Sequence, residues 1–173
     1  MKQLIDAFDY AGHICKCLRK GVLLTTAAEN RVNTMTIGWG CMGIEWNRPV
    51  FIAYVRESRY TRQLLKENPE FTVNIPYGEY DSKILSYCGK KTGREVDKIK
   101  NLGLTLVASD KVSVPGIQEL PLTLECKVIY QKKQDAEELP KSIRERFYPI
   151  DENGQVDEHI AFYGEIINAY IAE

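Results

Sequence analysis

The sequence predicts a mainly β fold, in which a β-barrel is flanked by a few peripheral helices. Strand-like runs dominate the chain, and the helical segments between them are short and amphipathic. The order of these segments lacks the regular alternation of strands and helices found in α/β folds, which favours a barrel. Repeats and low-complexity linkers are absent, so we expect a single domain spanning residues 1–173.

Five segments are predicted as strands from their apolar pattern and from the residues that end them. The first is rich in threonine, and the second is continuously apolar, as in a strand covered on both faces. The third ends at Pro76, the fourth alternates apolar and polar residues, and the fifth contains Gly164 as a bulge or a point of close contact. In order they are GVLLTTAAE (21–29), RPVFIAYV (48–55), EFTVNIP (70–76), LPLTLECKVIYQKKQ (120–134) and HIAFYGEIINAYIA (159–172).

Four segments are predicted as helices from their amphipathic pattern and their end signals. Ser58 is the expected N-cap of the first, which stops before Pro69. Gly89 and Gly103 are the expected C-caps of the second and third, and Pro140 breaks or starts the fourth. The segments are SRYTRQLLKENP (58–69), YDSKILSYCG (80–89), REVDKIKNLG (94–103) and AEELPKSIRERF (136–147).

Charge and composition narrow the classes of partner. The net charge of −1 provides no broad basic field for nucleic acid or an anionic membrane. No apolar run approaches the roughly 20 residues of a membrane span, and the N-terminus lacks the features of a signal peptide. The five cysteines are scattered, which indicates a cytoplasmic protein with reduced thiols. Cys15 and Cys17 are spaced too tightly for a usual zinc pair, so we expect ordinary buried thiols and no metal site.

The segment NTMTIGWG, residues 33–40, predicts a surface that a flat ring can approach. Glycine weakens a strand interior unless another group must come close to the backbone. Asn33, Thr34 and Thr36 add polar side chains around such a ring, and main-chain amides can bind its polar edge. Trp39 either stacks on the ring or is a core residue, and the sequence leaves both interpretations open.

The segment RESRYT, residues 56–61, predicts an anion-binding site. If Ser58 caps the following helix, the unpaired amides of the first turn carry a partial positive charge. The hydroxyls of Ser58 and Thr61 and the guanidinium of Arg59 then converge on one anion. The alternative is a capped surface helix whose arginines are solvated.

These segments resemble the flavin reductase-like branch of the FMN-binding split-barrel family, and its flavoredoxin-type members most closely. The resemblance extends from about Gly21 to Ala169. Thr92 stands where the family usually has serine, in an element that otherwise resembles the Ser-Gly-Arg…Asp-Lys element of the family. The matching elements, in order, are NTMTIGW, the strand ending in R-x-S-R-Y-T, NP-EFTVNIP, CGKKTGREVDK and EHIAFYGEI.

The resemblance implies a six-stranded Greek-key split barrel that is homodimeric, with FMN near the subunit interface. Thr34, Met35 and Thr36 would line the isoalloxazine ring, and the segment from Ser58 to Thr61 would hold the phosphate. Arg94 and Lys98 would add positive charge. With the residues discussed above, the candidate FMN-binding residues are Asn33, Thr34, Met35, Thr36, Gly38, Trp39, Arg56, Ser58, Arg59, Tyr60, Thr61, Thr92, Arg94 and Lys98.

His159 resembles the histidine that some reductases of the family place near the nicotinamide, which makes it the candidate catalytic residue. The alternative is a strand-edge histidine that only satisfies a hydrogen bond. The neighbouring acidic loop, with Glu152, Asp157 and Glu158, is expected to be solvated.

The resemblance implies oxidoreduction or electron transfer through bound FMN. The electron donor would be NAD(P)H or a redox partner protein. The segments MTIGWGCM and NRPVF replace the serine-rich strand and paired prolines common in nicotinamide-using members, which favours a tightly held FMN. Two alternatives stay open: a non-catalytic module that stores or senses FMN, and a structural barrel dimer without flavin.

Overall fold

A computed structural model describes all residues, 1–173, as ten strands and five α-helices. The two-stranded sheet of β7 and β8 is small, and the other eight strands form one antiparallel sheet. The strands are β1 (Lys2–Leu4), β2 (Val22–Ala28), β3 (Arg31–Ile37), β4 (Gly40–Glu45), β5 (Arg48–Arg56), β6 (Glu70–Ile75), β7 (Leu106–Val107), β8 (Gly116–Ile117), β9 (Leu122–Lys133) and β10 (His159–Ala172).

The main sheet curls into a barrel that is split along one side. Its strand order is β3-β2-β6-β9-β10-β5-β4, and β1 pairs with β10. Gly38 and Trp39 alone connect the two edge strands, β3 and β4, so these edges must lie close together where the connection is made. No backbone ladder joins them, and the sheet is therefore not closed. The mainly β split-barrel class is confirmed, although the main sheet has eight strands rather than six.

The helices lie outside the sheet, and most of their predicted ends are confirmed. Helix α2 ends before Pro69, α4 ends at Gly103 in the left-handed conformation (φ 63°), and α5 begins directly after Pro140. Two short 3₁₀ helices cover Ala7–Tyr10 and Ala136–Glu138. The α-helices are α1 (Ala11–Leu18), α2 (Tyr60–Glu67), α3 (Lys83–Lys90), α4 (Lys98–Leu102) and α5 (Lys141–Phe147).

Two predicted helix caps are wrong. The N-cap of α2 is Arg59, in extended conformation, and not Ser58, whose hydroxyl instead donates to the carboxylate of Asp157 at 2.6 Å. Gly89 lies inside α3, which continues to Lys90. It packs against β3, because a Cβ at Gly89 would lie 3.5 Å from the Cβ of Thr36.

The hydrophobic core fills the inside of the barrel, and its side chains pack closely against β9 and β10. Leu122, Leu124 and Cys126 of β9 are fully buried in it. The register between β9 and β10 shifts beside Gly164, which confirms the predicted irregularity. A Cβ at Gly164 would collide with the ring of Phe71, so the glycine lets β10 pass over that ring.

None of the five α-helices combines the length and the apolar composition that a membrane crossing requires. All five cysteines are unpaired. Cys15 and Cys41 are exposed, Cys17 is half-buried, and Cys88 and Cys126 are buried. The prediction of a buried thiol is therefore wrong for Cys15, because α1 lies on the surface and turns that residue toward solvent.

Candidate functional site

Two clefts meet beside the split in the barrel. The first, of about 280 Å³, lies between β3, the N-terminus of α2 and the segment from α3 to α4. The second, of about 190 Å³, lies between the end of β3, β5 and the start of β10. Met35 and Arg59 line both, so the clefts form one continuous surface.

The entrance of α2 supplies unpaired hydrogen-bond donors to the first cleft. The amides of Tyr60 and Thr61 donate to no acceptor in the protein. The guanidinium of Arg59 likewise has no hydrogen-bond or ion-pair partner, although it lies in the cleft. Free amides at a helix N-terminus beside an unpaired guanidinium are a site for a phosphate group.

The segment after α3 closes the first cleft through close packing. Gly93 lies so near to β3 and α2 that a Cβ there would collide with the amide of Asn33 and lie 2.9 Å from the ring of Tyr60. The side chain of Asn33 donates to Thr61 Oγ1 at 3.1 Å. Arg94 donates to the carbonyl of Ser58 at 3.0 Å and lies over the ring of Tyr60. These contacts hold β3 and α2 at a fixed separation.

Lys98 forms the floor of the first cleft. Its side chain is almost fully buried, and Nζ donates to the carbonyls of Thr34 at 2.8 Å and Cys88 at 3.0 Å. An ammonium has three donors, so one remains for a ligand. Burial lowers the pKa of Lys98, and the nearby charge of Arg59 lowers it further. Burial also raises the pKa of Cys88 to about 11, so that its thiol is protonated at neutral pH and is a poor nucleophile.

Aromatic rings form part of the wall of the second cleft. Trp39 is 42% exposed and packs its ring against Phe147 and His159, with centroids 5.2 and 4.9 Å apart. Trp39 is therefore a wall of the cleft and not a core residue. Tyr54 lines the same cleft, and burial raises its pKa to about 12. A planar ring fits against such a wall better than a flexible chain does.

His159 begins β10 at the back of the second cleft. It is 6% exposed, and its Nδ1 lies 2.8 Å from the hydroxyl of Tyr148. Burial lowers the pKa of His159 to about 4, and the positive charge of Arg56 acts in the same direction. The imidazole is therefore neutral at physiological pH. It can form hydrogen bonds there, but it does not act as a cation.

The comparisons with known proteins agree with this geometry. The sequence model of the family described as "Flavin reductase like domain" matches residues 16–173. The chain belongs to this family. Among solved structures, the flavoredoxin of Desulfovibrio vulgaris (Miyazaki F) is 27% identical with a TM-score of 0.68, and the match covers 88% of this chain and 69% of that one. The flavoredoxin of Methanosarcina acetivorans is 29% identical with a TM-score of 0.65, over 88% and 68%.

Curated relatives of this flavin reductase-like chain are matched over a shorter region. An uncharacterised protein of Archaeoglobus fulgidus is 34% identical over 106 residues, which is 61% of this chain and 59% of the relative. An uncharacterised protein of Pyrococcus abyssi is 36% identical over the same shares. The chain thus spans about three fifths of the length of these relatives.

The structure brings most of the predicted site residues of this family member together. Nine candidates line the first cleft: Asn33, Met35, Ser58, Arg59, Tyr60, Thr61, Thr92, Arg94 and Lys98. The second cleft is lined by Met35 and Arg59 again, together with Thr36, Gly38, Trp39, Arg56 and His159. Thr34 alone lines neither, because its hydroxyl is buried in the barrel and accepts from Thr25 at 3.0 Å.

Two further assignments change with the structure. The guanidinium of Arg56 donates to the carbonyls of Phe147 and Asp157, so it holds the loop before β10 and is not free for phosphate. The acidic loop is solvated only in part, because Glu152 is exposed, whereas Asp157 accepts from Ser58 and Glu158 pairs with Lys133 at 2.9 Å. Ser58 keeps its place in the first cleft, but its hydroxyl hydrogen is already used.

Sequence reasoning missed several residues of the clefts. Lys91, Gly93 and Glu95 line the first cleft. They lie within the element CGKKTGREVDK, so their position beside Thr92 and Arg94 could have predicted that they line the site. Tyr54 is two residues before Arg56 on β5 and so shares its face of the strand, which was a usable signal as well. Tyr148 had no signal, because its contact with His159 depends on how the loop folds back.

The low pKa of His159 predicts a stability that depends on pH. The unfolded chain binds this proton near the ordinary pKa of 6.5, whereas the folded chain binds it only near 4. As the pH falls toward and below 6.5, the unfolded state binds this proton and the folded state does not, so stability is lower at about pH 5 than at about pH 7.5. The other charges facing the ring are Arg59, which lowers its pKa, and Asp157, which raises it.

Urea unfolding at about pH 7.5 and at about pH 5 checks this prediction. A His159→Gln variant lacks the titrating ring, and its loss of stability on acidification should be smaller than that of the wild-type chain. An equal loss in both proteins would assign the effect to other groups.

Proposed function

We propose that the chain binds FMN across both clefts and acts in oxidoreduction through it. The observation that carries the proposal is the continuity of an anion site with an aromatic-walled cleft, joined at Met35 and Arg59. A flavin mononucleotide has the matching parts, a phosphate at one end and a planar ring at the other. The names of the similar flavoredoxins and membership of the flavin reductase-like family support the same ligand.

The residues present fit such a cofactor. The unpaired groups at the entrance of α2, namely the amides of Tyr60 and Thr61 and the guanidinium of Arg59, would hold the phosphate. The end of β3, where Gly38 leaves the backbone uncovered, and the ring of Trp39 would bound the isoalloxazine. When bound, the flavin supplies the electron or hydride transfer, and the protein supplies orientation and charge.

The chain's own residues would favour the reduced, more negative flavin. Arg59 places positive charge where the clefts meet, and Lys98 adds charge at the floor of the first cleft, where it has a donor left over. Lys98 is buried, so its charge acts through a less polar medium than that of the exposed Arg59. The electron donor is NAD(P)H or a redox partner protein, and the working form is a homodimer, as the family resemblance implies.

An absorbance spectrum of the purified protein, with and without added FMN, tests the proposal. We expect a bound flavin spectrum that bleaches on anaerobic addition of NADH or NADPH. A flavin spectrum that neither nucleotide bleaches, but that a redox partner protein or dithionite bleaches, would restrict the function to electron transfer or storage. A protein that stays colourless after FMN is added and separated would overturn the proposal.

A further inference from the structure

His159 is held between two aromatic rings with one ring nitrogen open to the second cleft. Its centroid lies 4.9 Å from that of Trp39 and 5.5 Å from that of Tyr148. Nδ1 is engaged with the hydroxyl of Tyr148. Nε2 has no partner in the protein, yet it is not among the buried unpaired polar atoms. Since His159 lines the second cleft, Nε2 is the ring nitrogen that a ligand there can reach.

The hydroxyl of Tyr148 determines which nitrogen carries the proton. Its single hydrogen is donated to Oε1 of Gln134 at 3.2 Å. Toward Nδ1 of His159, 2.8 Å away, the oxygen can therefore only accept. Nδ1 must then be the protonated nitrogen. A neutral imidazole has one N–H, which leaves Nε2 with a free lone pair.

We infer that Tyr148 is a positioning residue that fixes His159 in its Nδ1–H tautomer and so makes Nε2 a hydrogen-bond acceptor in the second cleft. The other polar side chains that line this cleft include the donors Arg59 and Tyr54. A ligand that reaches both Nε2 and the guanidinium of Arg59 needs an N–H or O–H group beside an acceptor, as in a primary amide. A carboxylate offers acceptors to Arg59 but has no hydrogen to donate to Nε2 at neutral pH.

The ligand part of this inference rests on the proposed function, in which the second cleft receives the molecule that exchanges electrons with the flavin. The tautomer part rests on the protein alone. Burial, which lowers the pKa of His159 to about 4, supports it by keeping the ring neutral near neutral pH.

Nitrogen-15 NMR of the flavin-free protein tests the tautomer directly, and the chain contains its own control. It has two histidines, and the other, His13, has Nε2 at 2.7 Å from the carbonyl of Pro76. A carbonyl only accepts, so His13 must carry its proton on Nε2. We expect His13 and His159 to show opposite tautomers, with a His13→Gln variant assigning the signals. An Nε2–H signal for His159 in the wild-type protein would overturn the inference.

Two variants separate positioning from packing. In Tyr148→Phe the ring remains but the acceptor is lost, and the proton of His159 is expected to move to Nε2, where water in the cleft accepts it. In Gln134→Ala the tyrosine loses its acceptor and donates to Nδ1 instead, so the same change is expected with the tyrosine intact. Tyr87→Phe, which removes a hydroxyl that accepts from Asn101, should leave His159 unchanged. An unchanged tautomer in both Tyr148→Phe and Gln134→Ala would contradict the role of Tyr148.

The ligand class is tested with two probes that share a ring. Benzamide and benzoate are added in excess to the FMN-loaded wild-type protein. Benzamide is expected to shift the Nε2 signal of His159, whereas benzoate is expected to leave it in place. A shift with benzoate alone, or with neither probe, would overturn the ligand class. Failure of FMN to bind would overturn the proposed function, while the spectra of the flavin-free protein would still decide the tautomer.

Discussion

An Arg59→Ala variant is expected to bind FMN roughly ten- to hundredfold more weakly than the wild-type chain, a loss of about 1.5–3 kcal/mol. Arg59 lines both clefts, and its guanidinium has no partner in the protein, so its hydrogen bonds are free for a phosphate. A charge-assisted contact of this kind is stronger than one between neutral groups. Titration of the flavin-free protein, followed by the fluorescence of the flavin, measures the affinity.

The same titration with riboflavin locates the lost contact. Riboflavin has the flavin ring without the phosphate, so Arg59→Ala should weaken its binding far less than that of FMN. Arg62→Ala removes an arginine from the same helix that lines neither cleft, and it should change neither affinity. Equal losses for riboflavin and FMN in Arg59→Ala would place the phosphate elsewhere.

Ser58 is expected to contribute less than Arg59 to the same site. Its amide and hydroxyl both donate to the carboxylate of Asp157, at 3.0 and 2.6 Å. A phosphate that used these donors would have to displace Asp157 first. The sequence predicted Ser58 as a cap and a phosphate ligand because its partner lies 99 residues away, beyond the reach of any local pattern.

The predicted strands agree with the structure because their signal is local. The alternation along β9 and the apolar run of β5 reflect which faces are buried. The order of the strands and the split between β3 and β4 depend on pairings between distant segments, which a period-two pattern does not encode. Helix α1 was not predicted, because Tyr10 gives it no side-chain cap.

The polar face of β9 shows a second limit of pattern reading. Thr123 and Glu125 alternate with the core residues, as on a solvated face, yet both are buried. The carboxylate of Glu125 accepts the amides of Asp110 and Lys111, at 2.9 and 2.7 Å, so a loop covers this face and is held there. A loop without its own secondary structure leaves no periodic trace in the sequence.

A Gly164→Ala variant is expected to lose about 1–3 kcal/mol of its free energy of unfolding. The added methyl group would collide with the ring of Phe71 and lie 2.9 Å from the Cβ of Cys126. Phe71 and Cys126 are themselves fully buried, so the ring cannot turn away without displacing other core residues. Urea unfolding measures the loss, and a thermal scan should show a fall of about 2–4 °C per kcal/mol.

Gly43→Ala is the matched control, because it adds the same methyl group to a strand glycine. No atom lies within 4 Å of a Cβ at Gly43, and its φ is not positive. There the lower entropy of the unfolded alanine chain should stabilise the fold by about 0.4–1 kcal/mol. Phe71→Leu makes room beside Gly164, so in the double variant Gly164→Ala should be less destabilising than it is alone. A loss in Gly164→Ala that Phe71→Leu does not reduce would mean that strain in the β10 backbone, and not the aromatic ring, requires glycine.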